Sequence, residues 1–124
     1  MAHSMFHFSA GVAVGTISML PAFVARWRRG EKLARFLGRR ILAAYALGAF
    51  AVFPGVLDNI GVPLSIIEGW WMNIFLLHPI LNMMIPGGRG LLWGEVVVAM
   101  CSILMYALLL LGIWRGARGE KQGI

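Results

Sequence analysis

The chain has 124 residues, 60% of them hydrophobic and only 13% charged, with a formal net charge of +6. A soluble domain of this length cannot cover so much apolar surface with so few charges, which excludes a water-soluble globular enzyme or binding module. The positive charge does not point to nucleic acid, because most of it is gathered beside one apolar run and no DNA- or RNA-binding motif accompanies it.

Four stretches lack Lys, Arg, Asp and Glu: Met1–Ala25, Ile41–Leu57, Gly69–Gly88 and Val96–Trp114. A hydrocarbon core of about 30 Å takes roughly 20 residues of helix, a length that Ile41–Leu57 only approaches. The expected fold is an all-α integral membrane protein, one transmembrane domain with helices at about 5–24, 40–53, 65–85 and 91–114. The first run lacks a basic segment before it and carries its basic residues after it, so it is expected as a retained transmembrane helix rather than a signal peptide. Residues 1–4 read equally as native or as preceding a start at Met5, and His3 carries no argument.

On the first helix, with Pro21 bending its last turn, His7, Gly11, Gly15 and Ser18 share a face. "GVAVG" is a small-xxx-small pattern that admits a close helix neighbour. His7 tops the stripe, with a hydrated interfacial histidine and a ligand as its two readings. The basic loop 26–40 follows. It holds Arg26, Arg28, Arg29, Lys32, Arg35, Arg39 and Arg40, expected on the cytoplasmic side against anionic headgroups. A short interfacial helix there would dip Trp27, Leu33, Phe36 and Leu37 into the headgroup layer.

The second helix is expected to stop at Phe53, before "PGVLDNIGVP", where Asp58 is either an exposed capping residue or a ligand. On the third, Glu68, Phe75, His78 and Asn82 fall within about 80° of one another, and Asn73 points away. Ionisable groups at membrane depth face protein or water, so His78 and Asn82 are expected to look inward. Pro79 breaks the helix at His78, and freed backbone groups at that depth need a protein-lined or polar cavity. The fourth helix ends at Trp114, before a polar tail. Four full crossings put that tail opposite the basic loop. The alternative is three spans plus a re-entrant or interfacial third helix, which brings both to one side. Cys101 and the methionines are expected as core fillers, and the tryptophans as interface anchors.

Three patches of the chain resemble the YdjM-like family of bacterial inner-membrane proteins, described as membrane-bound metal-dependent hydrolases. "FHFSAGVAVG" supplies a histidine and spaced glycines, His7, Gly11 and Gly15; "FPGVLDNIG" keeps Pro54 and an acid, Asp58. "LHPILNMMIPGGRGLLW" offers His78, Asn82, Pro86, Gly88 and Leu91–Trp93 at closely matching spacing. The resemblance implies a bacterial cytoplasmic (inner) membrane and a divalent metal held by His7, Asp58, His78 and Asn82, with Glu68 as a base. The chain departs from the pattern at decisive places. Gly55 stands where the first family Asp would be, Asn82 replaces an Asp, and a histidine-rich segment is missing. A divalent ion wants anionic oxygens and several imidazoles, which this set supplies poorly.

The leading expectation is therefore a non-catalytic accessory or scaffold subunit of a larger membrane complex, with membrane-protein partners or self-association. A metal-dependent hydrolase acting on a lipid or envelope substrate is the alternative. A haem- or chlorophyll-type pigment anchor with His78 as axial ligand is the third reading.

Overall fold

The computed structural model describes residues 4–67, 69–75, 83 and 89–122, and among these every regular element is helical. Helix α1 spans Ser4–Arg28, α2 spans Ala34–Asn59, the short α3 spans Leu64–Ile67, a 3-10 turn covers Trp70–Ile74, and α4 spans Arg89–Gln122. The chain is an all-α membrane bundle, in which α1, α2 and α4 are each long and apolar enough to cross a bilayer.

Two glycine-closed turns set the ends of the first two helices. Gly30, at φ +73°, follows α1. Its N–H donates to the Trp27 carbonyl and the Glu31 N–H donates to the Arg26 carbonyl, at 3.2 Å each. At the end of α2, Gly61 (φ +88°) repeats the device. Its N–H donates to the Asp58 carbonyl at 3.0 Å, and the Val62 N–H to the Leu57 carbonyl at 3.1 Å. Both satisfy helix-end carbonyls through a left-handed residue that only glycine adopts cheaply.

Helix α2 differs from the expected 40–53 at both ends. It starts at Ala34 because Leu37, Ile41, Ala44, Gly48 and Ala51 form one continuous buried stripe at helical spacing. Basic loop 26–40 accordingly shrinks to the turn after Arg28 and before Ala34. Leu33 and Leu37, expected among headgroups, are 1% and 0% exposed and belong to the core. At the other end α2 runs through Pro54, which is fully buried. Proline costs one backbone bond in a helix, and here its packing outweighs that cost. The stop belongs to Gly61, with Pro63 two residues on.

Helix α4 likewise continues beyond Trp114 to Gln122. The Arg118 guanidinium lies 3.9 Å from the Trp114 ring centroid, an i, i+4 contact that supports the extra turns.

The direction of α4 decides the topology. A Cβ on Gly94 would meet the Met5 backbone at 2.7 Å, and one on Gly112 would meet Leu37 and Leu33 at 3.0 and 3.1 Å. Helix α4 therefore runs parallel to α1 and antiparallel to α2. Gly55 of α2 lies near Ser4, so α2 ends where α1 and α4 begin. The end of α2 and the start of α4 therefore lie at the same end of the bundle.

The described part of the expected helix at 65–85 is correspondingly broken, into α3 and the 3-10 turn. Pro63 and Gly69 punctuate it, with the Met72 N–H donating to the Gly69 carbonyl. Phe75 then stacks on Phe50 and Phe53, with ring centroids 4.7 and 5.4 Å apart. Phe50 lies nine residues inside α2 from Asn59, roughly 13 Å of helix rise. The chain thus folds back along α2, as in the three-span alternative.

Candidate functional site

The two ends of the bundle carry different chemistry. At the end where α1 begins, His7 sits in the first turns of α1 and is 2% exposed. It is buried rather than hydrated, with its ring edge-on to Phe6 at 6.4 Å. Asp58 is half-buried near the end of α2, where its backbone carbonyl closes the Gly61 turn. Among the described residues no three of His, Cys, Asp and Glu stand close enough to hold a metal ion. Glu68, His78 and Asn82 lie outside the described residues, and so does the Pro79 break. Asn73 donates from Nδ2 to the Trp70 carbonyl at 2.7 Å.

Between the ends, the helices meet through small residues. A Cβ on Gly11 would lie 2.5 Å from the Leu47 carbonyl oxygen and 2.6 Å from Gly48, and one on Gly15 would lie 2.5 Å from Ala44 Cα. The "GVAVG" of α1 therefore faces Ala44 and Gly48 of α2, a second small-xxx-small pair. Buried Thr16 donates to the Val12 carbonyl at 2.7 Å and Ser9 to that of Phe6 at 2.6 Å, so neither hydroxyl is left unsatisfied in the apolar interior. Ser18, on the expected stripe, is exposed and donates to the Gly15 carbonyl; Met19 takes its place in the core. Across α2 and α4, the Tyr45 hydroxyl and Ser102 Oγ share a hydrogen bond of 2.6 Å. Cys101 packs beside the core.

At the opposite end, the α1–α2 turn and the last turns of α4 come together. Arg115, 88 residues beyond Trp27 in sequence, stacks its guanidinium 4.3 Å from the Trp27 ring centroid. Glu31 bridges two arginines: its Oε2 accepts from Arg26 and its Oε1 from Arg29, both at 2.7 Å. Arg26 and Arg40 sit 4.7 and 5.5 Å from the centroid of Phe36. Arg28 and Arg39 are exposed, as are Lys32 and Arg35.

Two open clefts lie here. One of about 340 Å³ is lined by Arg26, Lys32, Arg35, Phe36, Arg39 and Arg40. The other, about 370 Å³, joins Gly30, Glu31 and Lys32 of the turn to Arg115 and Arg118 of α4. Arg115 and Arg118 are the site residues that the sequence placed at the wrong end. The signal that finds them is the charge bias itself: a three-span topology gathers ten of the eleven Lys and Arg residues at this end, leaving only Arg89 at the other.

No family model, curated protein or solved structure matches this chain.

Proposed function

We propose that the protein is a non-catalytic accessory or scaffold subunit of a larger complex in a bacterial cytoplasmic membrane, derived from a YdjM-like fold, with its basic end in the cytoplasm. The observation that carries the proposal is the flank of α4. This helix is the most apolar of the three spans, yet only 11% of its apolar window is buried within the chain, against 33% for α1 and 28% for α2. Ile103 and Leu110 are 71% and 67% exposed along it. Lipid solvates such a flank as well as protein does, so its exposure does not by itself demand a partner; it is the surface on which a neighbouring helix has room to pack along the full length of the span. The orientation follows from the positive-inside bias, since basic residues accumulate on the cytoplasmic side.

Purification from native membranes in mild detergent tests the assignment. A stoichiometric membrane-protein partner, or a defined oligomer of this chain, is the expected result. A monomer without a partner overturns it, and a stoichiometric bound metal or a haem absorption band would replace it with an enzymatic or cofactor-anchoring role.

A further inference from the structure

The cleft at the start of α2 is lined by five cations and one aromatic ring, with no carboxylate in its wall. Glu31, the acid nearest in sequence, is engaged by Arg26 and Arg29. Arg35 and Arg39 have no ion-pair partner among the described residues, and they stand four residues apart on one helix face. Like charges at that spacing repel. Cations near the beginning of a helix also oppose its dipole, and the first turn of α2 carries no acid to offset them. An anion in the cleft relieves both costs.

Two features say what kind of anion. Trp27 and Trp114 lie at this end of the bundle, with Arg115 on the Trp27 ring and Arg118 on the Trp114 ring. Aromatic rings flanked by arginines at the ends of membrane helices mark the headgroup layer. Lys32 also lines the second cleft, with Glu31, Arg115 and Arg118, so one cation is common to the two. A single phosphodiester carries one negative charge and leaves most of this lining uncompensated; two phosphates supply one charge for the cations on each side of Lys32.

We infer that the basic end is a binding site for an anionic phospholipid whose headgroup carries two phosphates. One phosphate sits against Arg35, Arg39 and Arg40, and the other sits beyond Lys32 against Arg115 and Arg118. The inference rests on the proposed placement of this end at the headgroup layer.

Native mass spectrometry of the full chain in detergent tests it, titrating diphosphatidylglycerol and phosphatidylglycerol at matched total charge, with pyrophosphate as a soluble competitor. One diphosphatidylglycerol per chain should bind about tenfold more tightly than phosphatidylglycerol, given the contribution of each basic residue at a headgroup. Arg35→Gln with Arg39→Gln should lose about tenfold in affinity, and Arg35→Lys with Arg39→Lys should recover most of it. Arg28→Gln, whose side chain lines neither cleft, should change affinity by less than about twofold.

Equal affinity for the two lipids overturns the two-phosphate site, and equal losses in the Arg28 and Arg35/Arg39 variants reduce it to diffuse surface charge. Displacement by equimolar pyrophosphate overturns the lipid assignment in favour of a soluble phosphate ester. Binding in detergent does not depend on which leaflet the end faces or on a protein partner. Failure here therefore leaves the scaffold role standing, and failure of that role leaves this site standing.

Discussion

The α1–α2 seam and the outer flank of α4 use apolar sequence in opposite ways. The seam is built from Gly11, Gly15, Ala44 and Gly48, residues with little or no side chain, and it brings two backbones nearly into contact. The flank of α4 is built from large residues such as Leu92, Ile103, Leu110 and Ile113, and all of them point away from the bundle. Hydrocarbon solvates a leucine as well as a protein core does, so hydrophobicity gives helices in a bilayer no reason to associate. Close packing does. The helix with the highest apolar content is therefore the least buried within the chain.

The sharpest way to break that contrast is to put a side chain into the seam. Gly11→Leu meets backbone atoms of Leu47 and Gly48 that cannot swing aside. The expected loss is about 3 kcal/mol of bundle stability, the upper range for overpacking, read by denaturant titration of the purified protein. Gly94→Leu meets the Met5 backbone, close to the ends of two helices where fraying relieves strain, and should cost about 1–2 kcal/mol in the same assay.

Tyr45→Phe and Ser102→Ala remove the two sides of the α2–α4 hydrogen bond. A double-mutant cycle on that pair should return a coupling of about 0.6 kcal/mol, the average for hydrogen bonds between membrane helices, and no more than about 1.7 kcal/mol. Ile103→Ala, on the flank, should shift stability by less than about 0.5 kcal/mol. A neutral Ile103→Ala that nevertheless loses copurifying protein would mark the flank as the partner surface.

Much of this was legible in the sequence, but unevenly. The three long spans follow from uncharged runs, and the seam follows in half: "GVAVG" names the face of α1, while nothing local says that Ala44 and Gly48 lie opposite. The end of α2 was misplaced because Pro54 looks like a stop when its neighbours are unknown. Buried against them, it is tolerated, and the turn chemistry sits at Gly61 and Pro63. The burial of His7 was also invisible, because it depends on where the other helices run. The direction of α4 was the costliest gap. A four-crossing count runs α4 the other way and sends Arg115 and Arg118 away from the cluster they complete, whereas Gly94 lies against Met5 and Gly112 against Leu33 and Leu37.

The three-span topology is the claim on which the basic end depends, and site-directed labelling tests it most directly. In a Cys101→Ser background, single cysteines at Arg28, Ile60 and Gly119 are exposed positions at the α1–α2 turn, the far end of α2 and the end of α4. With a membrane-impermeant maleimide applied to intact cells, Ile60→Cys should label, while Arg28→Cys and Gly119→Cys should both stay protected until the membrane is opened. Labelling of Gly119→Cys together with Ile60→Cys, with Arg28→Cys protected, would mean that α4 runs the other way and that the basic end does not exist as described.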